Sequence, residues 1–253
     1  MPKLKDLLEY LASPGLESTW VLLDIKVRMP NPRPRAFVLI LPQLDNNADD
    51  VMRLIAETID HVRPHPNKPW NQRVVLGIWA VRELPPCPSF TPNVPQAKYV
   101  PLCNTHLSTF PICYIGFSIP YARQFLHTPN ISFNLFQKTL MGPIIGSKFL
   151  RDAKALGRPI FMWTVNDESL MKWSISRGAD GVITDDPKRF LEVCDAWERG
   201  DRQIRIGWRL WLEIIWFNIM VLLFGGILWW KYGGMKSKGP VRIPMGVKAE
   251  GGR

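Results

Sequence analysis

The sequence has little that would build a metal site or a covalent framework. Its four cysteines, Cys87, Cys103, Cys113 and Cys194, include no CxxC pair and no histidine at metal-ligand spacing, which argues against zinc and against disulfide stapling. Histidine is equally scarce, with four in 253 residues. The opening stretch MPKLKDLLEYLASPGLESTW lacks the apolar core of a cleaved secretory signal. It reads as an amphipathic helix with Leu4, Leu7, Leu8 and Leu11 on one side. A composition of 46% hydrophobic and 21% charged residues excludes a disordered chain and leaves room for one large domain or two modest ones.

What the chain has in excess is proline, tryptophan and positive charge: 23 Pro, 11 Trp and a net +10. The charge is local. Residues 231–253 hold Lys231, Lys236, Lys238, Arg242, Lys248 and Arg253 against the single Glu250. A nucleic-acid-binding domain would spread its cations over a folded face, so this basic tail argues against a nucleic-acid partner.

From Ile214 to Trp230, IIWFNIMVLLFGGILWW runs without a formal charge. Trp208, Trp211 and Trp216 stand at one end and Trp229 and Trp230 at the other, with Arg199, Arg202, Arg205 and Arg209 before them. A spanning helix needs ~20 apolar residues, and Trp belts flanked by cations are typical of the membrane interface. Residues 199–230 are therefore expected to be a C-terminal membrane-anchoring segment, spanning or lying in the interface.

In the first two hundred residues, short apolar runs at 20–26 (WVLLDIK), 74–80 (VVLGIWA), 111–117 (PICYIGF), 160–165 (IFMWTV) and 181–184 (GVIT) read as buried strands. Helical stretches at 48–63, 121–126, 147–157, 168–178 and 187–197 separate or follow them. Near-continuous apolar strands alternating with amphipathic helices imply a parallel sheet covered by helices. Polar residues stand at several strand ends, where a (β/α) barrel builds its chemistry.

The block FMWTVNDESLMKWSISRGADGVITDDPKRFLEV resembles the closing strand-helix-strand-helix of the glycerophosphodiester phosphodiesterase family. WVLLDIK resembles the same family's fourth strand, and PKLKDLLEYL the helix before it. Joined to a hydrophobic tail, the domain is most similar to the fungal phosphatidylglycerol-specific phospholipase C group. The resemblance covers about residues 1–198 and implies an α/β fold of the TIM-type (β/α)₈ class, with only about the last five βα units present. Five strands would leave the barrel open and its isolated product marginal.

Two segments interrupt the pattern. Residues 27–43, VRMPNPRPRAFVLILPQ, and 81–96, VRELPPCPSFTPNVPQ, each begin Val-Arg and end Pro-Gln and together hold nine prolines. They are expected to be retained introns, the alternative being Pro-rich surface loops.

The resemblance implies hydrolysis of a glycerophosphodiester or a membrane glycerophospholipid such as phosphatidylglycerol. It also implies a divalent metal, Mg²⁺ or Ca²⁺, held by carboxylates, with two histidines as acid and base. Asp24 matches the acidic strand-four position and is the metal-ligand candidate. Lys26, two residues on and so on the same face of the strand, is a candidate to hold a phosphate oxygen. Trp163 and Asn166 match the strand-seven motif and are substrate-binding candidates, while Asp185 matches the strand-eight end or caps a helix. The family's His-Arg-Gly, Glu-Asn, Glu-x-Asp and His-Asp motifs belong to strands one to three, and this chain is expected to begin after them. His61, His65, His106 and His127 sit in none of those motifs, so no catalytic residue is assigned and the chain alone is expected to be inactive. The alternative is a catalytically inactive, membrane-attached lipid-binding or interaction protein. Either way the expected partner is a membrane lipid, and the expected location is an intracellular membrane reached through the C-terminal segment.

Overall fold

The computed structural model describes residues 3–25, 48–79 and 95–231. Six strands, β1 (Val21–Ile25), β2 (Val74–Trp79), β3 (Ile112–Gly116), β4 (Ile131–Phe136), β5 (Ile160–Trp163) and β6 (Gly181–Val182), pair in that order into one parallel sheet. The helices are α1 (Leu4–Leu11), α2 (Ala48–His61), α3 (Pro95–His106), α4 (Ile119–Ala122), α5 (Gln137–Leu140), α6 (Ile145–Ala155), α7 (Glu168–Ser176), α8 (Pro187–Glu198) and α9 (Trp208–Lys231). Every pair of neighbouring strands is joined through at least one helix, as parallel pairing requires. The sheet curls into an incomplete barrel, a partial TIM-like α/β fold.

The sheet has six strands where the sequence patterns gave five. The additional strand is β4, ISFNLF. Its Ile131, Phe133 and Leu135 join the helix-side core, while Ser132 and Asn134 point the other way and are buried. That polar inner face and the Thr128-Pro129-Asn130 stretch before it hid the strand from an argument based on apolar runs. Helix α3 was likewise not expected, and it carries Pro101 in its interior. Of the two suspect segments, 27–43 lies outside the described residues, as does 81–96 up to Pro95, where α3 begins.

On the helix side of the sheet, Leu76, Ile78, Ile112, Tyr114, Phe133 and Met162 are buried against the helices. Phe133 meets Phe149 of α6 edge to face at 5.2 Å, an arrangement that suits the ring quadrupoles. Local sequence fixes the last units. Asp167 caps α7 by accepting the backbone N–H groups of Ser169 and Leu170 at 2.8 and 3.2 Å. Gly178 takes the left-handed φ of 62° that ends the helix. Asp186, with Pro187 as the first helical residue, caps α8 by accepting from Arg189 N at 3.0 Å.

Arg73, 2% exposed, ties the N-terminal segment to the sheet. Its Nε donates to Thr19 O at 2.9 Å, and its Nη2 donates to Leu11 O at 2.8 Å and Leu16 O at 2.7 Å. The guanidinium also lies 5.3 Å over the Trp70 ring. The turn between α1 and β1 thus has its carbonyls satisfied by one buried cation.

Residues 199–206 run back from the end of α8 across α7. Lys172, its side chain only 7% exposed, pairs with Asp201 at 2.8 Å and with Glu168 at 3.0 Å. One turn nearer the start of α7, Ser169 Oγ donates to Arg205 O at 2.6 Å. This return carries the chain back to the end of the sheet where α7 begins, and α9 starts there.

Helix α9 corrects the expectation of a membrane-spanning segment. Among the described residues no helix is long and apolar enough to cross a membrane. Arg209, Glu213 and Asn218 break the apolar run of the helix, and part of its surface is committed to the barrel. Ile214 is 2% exposed. Glu213 pairs with Lys138 of α5 at 2.7 Å, and Asn218 Nδ2 donates to Lys138 O at 2.8 Å. Gly142 makes room for this seat, since a Cβ there would lie 2.8 Å from Asn218 Oδ1. The basic tail beyond Lys231 lies outside the described residues.

Two outcomes follow for stability. Arg73→Met should lower the unfolding free energy in urea by about 3 kcal/mol, because it removes three hydrogen bonds, one of them to the buried Leu11 carbonyl; a change under ~0.5 kcal/mol would show that the guanidinium is dispensable. Hydrogen bonding to Lys172 holds the Asp201 and Glu168 carboxyls below their ordinary values, and Asp201 first, then Glu168, raises the Lys172 ammonium. The depressed carboxyls stabilise the fold above their unfolded values of ~4 and lose that contribution as pH falls through their lowered values. The raised lysine stabilises it below ~10.5 and loses its contribution as pH rises beyond. Thermal melts of wild type against Lys172→Met should therefore differ most between about pH 5 and 10 and converge at the acid end, whereas a constant difference through pH 3 would contradict the ion-pair account.

Candidate active site at the strand ends

Because the strands are parallel, their C-terminal ends lie on one side, and the register decides which side chains meet there. Asp24 pairs with Gly77, Trp79 with Ile115, and Phe136 with Trp163. Side chains alternate along each strand, so Asp24, Trp79, Phe136 and Trp163 all face away from the helix-side core. Three of the four are aromatic.

They form one contact chain. Trp79 Nε1 donates to Asp24 Oδ1. The Trp79 and Trp163 rings meet edge to face at 5.3 Å. Trp163 lies 5.1 Å from Phe136, which lies 4.7 Å from Phe217 on α9. Trp163 is held from below, its Nε1 donating to Asn134 O at 3.1 Å. The four rings are half-buried and Asp24 is exposed, so the chain of contacts is partly open to solvent.

Of the residues singled out from sequence, Asp24 and Trp163 are brought together through Trp79. Asn166 is engaged with the neighbouring strand end. Its Oδ1 accepts from Thr184 Oγ1 and Asp185 N, both at 3.0 Å, and its Nδ2 donates to Asp185 Oδ2 at 2.7 Å. It ties the end of β5 to the end of β6, and Asp185 is part of that tie while the neighbouring Asp186 is the helix cap. Lys26 lies outside the described residues.

The described residues do not assemble a divalent-cation site. No group of three His, Cys, Asp or Glu side chains among them converges on one point, and one oxygen of Asp24 already accepts from an indole. A single carboxylate supplies one or two of the ~6 oxygens that Mg²⁺ or Ca²⁺ requires. No chemical step is therefore derived through a metal.

The histidines also sit away from the strand ends. His61 ends α2, His65 lies between α2 and β2, His106 ends α3 ahead of β3, and His127 precedes β4. All four lie nearer in sequence to the strand that follows than to the strand before. His106 Nε2 meets Asp49 at 2.8 Å, and the His61 ring bonds the carbonyl of Glu57 within its own helix. No acid/base histidine pair faces Asp24 among the described residues. Burial pushes the Cys103 and Cys113 thiols up to about 12, so neither is a nucleophile at neutral pH.

Sequence reasoning missed Trp79, Phe136, Asn134 and Phe217. Trp79 was legible as the last residue of an apolar strand, a position where side chains reach the barrel mouth. Asn134 has a buried side-chain oxygen with no hydrogen-bond partner among the described residues, a feature that only packing reveals.

The solved structures similar to this chain include a Silicibacter pomeroyi protein assigned by its name to the glycerophosphoryl diester phosphodiesterases, at 15% identity and a TM-score of 0.55, with 78% of this chain covered. The chain spans 57% of that structure's length. A glycerophosphodiester phosphodiesterase from Parabacteroides distasonis is similar at 17% identity and a TM-score of 0.42, over 60% of this chain and 52% of its own. No curated protein matches at a significant level. The profile of the glycerophosphoryl diester phosphodiesterase family matches residues 46–189, more than half of the sequence, and the chain belongs to that family.

Proposed function

We propose that this chain belongs to a phosphoric diester hydrolase of lipid metabolism that acts on membrane glycerophospholipids, phosphatidylglycerol first among them. Hydrolysis would yield diacylglycerol and glycerol phosphate. The observation that carries the reading is the strand-end cluster in a chain of this family, with Asp24 for the polar headgroup side and the Trp79, Trp163 and Phe136 rings beside it. In that scheme Asp24 supplies one carboxylate toward Mg²⁺ or Ca²⁺, Lys26 holds a phosphate oxygen and Trp163 lines the pocket. Asn166 shapes the mouth by tying β5 to β6.

The proposed location is a membrane surface, reached through α9 lying in the interface. Support comes from its outward residues: Trp208 is 68% exposed, Trp216 64%, Leu212 55% and Ile215 50%. Exposed apolar side chains grouped on one helix mark a docking surface. The Arg205 and Arg209 cations near its start suit an anionic lipid.

The second reading, a lipid-binding protein without turnover, is favoured by the placement of the four histidines on connections that enter strands. Residues 1–253 are expected to sediment with phosphatidylglycerol-containing vesicles more than with phosphatidylcholine vesicles, and to release no glycerol phosphate in the presence of Mg²⁺ or Ca²⁺ by ³¹P NMR. Steady release would show that the chain has a complete catalytic site. Equal recovery in the supernatant with both vesicle types would sink the membrane reading.

A further inference from the structure

Resting on the lipid-diester reading, we propose that Phe217 on the inner side of α9 is a specificity-determining residue of the site, which contacts the first apolar carbons of the substrate and selects diesters that carry an acyl chain over deacylated ones. The geometry is a polarity gradient laid out along one line of contacts. It begins at the exposed Asp24 carboxylate and passes to the indole of Trp79, which donates to it. It continues through Trp163 at 5.3 Å and Phe136 at 5.1 Å, and ends at Phe217, 4.7 Å from Phe136. Polar atoms fall away along it: a carboxylate, then two indoles, then two phenyl rings.

Beyond Phe217 the same helix turns outward to the exposed Ile215, Trp216 and Ile219. An amphiphile whose headgroup hydroxyls donate to the Asp24 carboxylate would follow this series of contacts with its tail toward α9. A small polar diester would use only the first part. The rings are half-buried, so each keeps part of its surface exposed, against which carbons can pack.

Apart from the ring's own contact with Phe136, α9 is seated beside it by contacts that do not involve the ring. Glu213 pairs with Lys138, and Asn218 donates to Lys138 O. Ile214 fills the core between them. The ring is therefore a separable part of the helix's seat. Replacing it by a smaller apolar group removes carbon surface beside Phe136 and leaves the polar anchors in place. The backbone helix and the return segment over α7 are untouched.

The test measures binding of two soluble diesters to the full chain by isothermal titration: glycerophosphoglycerol, and dihexanoyl phosphatidylglycerol below its micellar concentration. Wild type is expected to bind the acylated compound more tightly. Phe217→Ala should weaken the acylated compound about tenfold and leave glycerophosphoglycerol within about twofold, and Phe217→Leu should restore most of the difference. Leu191→Ala, at an exposed position of α8, should leave both unchanged. Circular dichroism and melting of each variant report whether α9 remains seated. Should Phe217→Ala unseat it, Phe217→Leu alone decides, with a two- to fourfold loss confined to the acylated compound. Equal weakening of both compounds, or none, overturns this inference while leaving the diester reading in place. Failure of wild type to bind either compound overturns the diester reading and this inference with it.

Discussion

Parallel strand pairing is the constraint from which the rest of the structure follows. It forces every connection to cross back over the sheet, which requires helices, and it puts every strand end on one side. Residues as far apart in sequence as Asp24, Trp79, Phe136 and Trp163 become neighbours because each is the inward-facing residue at or next to the end of its strand. The same geometry puts the histidines elsewhere. All four precede strands, so the ladder that gathers the aromatic residues keeps the titratable imidazoles on the connections that enter the sheet.

The two chain segments outside the sheet are held by buried or nearly buried cations rather than by strand pairing. Arg73 collects the carbonyls of Leu11, Leu16 and Thr19 and so positions the turn that leads into β1 and Asp24. Lys172 gathers Asp201 and Glu168 and so directs the chain after α8 back toward the strand ends. In both cases a side chain buried within the fold sets the course of a segment that the hydrophobic pattern alone would leave undetermined. Helix α9 then belongs partly to the barrel, seated on α5 through Glu213, Ile214 and Asn218, and partly to the solvent side, where its apolar residues are exposed. A segment composed like a membrane helix is thereby given an inner and an outer side.

Much of this was legible in the sequence, and the omissions have physical causes. Apolar runs located β1, β2, β3, β5 and β6 to within a few residues, because strands buried on the helix side must be nearly continuous in Val, Ile and Leu. Strand β4 escaped because Ser132 and Asn134 fill its inner face. The motif around Trp163 and Asn166 placed both residues near the strand ends, but only the hydrogen bonds show that Asn166 joins the end of β5 to that of β6 while the Trp163 indole is held by Asn134 O. Likewise the pair Asp185-Asp186 is ambiguous as text and resolved by geometry, since only Asp186 accepts from Arg189 N. Phe217 could not be found at all from sequence. Its contact with Phe136 spans 81 positions and depends on the return path over α7.

The central claim is that the Asp24, Trp79 and Trp163 cluster is where a glycerophosphodiester binds. Indole N–H resonances report on it directly. On titration with glycerophosphoglycerol, the Trp79 and Trp163 signals should shift together and saturate with one dissociation constant. The Trp70 indole, which donates to Val62 O at 2.7 Å on the opposite side of the sheet's connections, should stay fixed. Shifts confined to other tryptophans, or none at saturating ligand, would contradict the account.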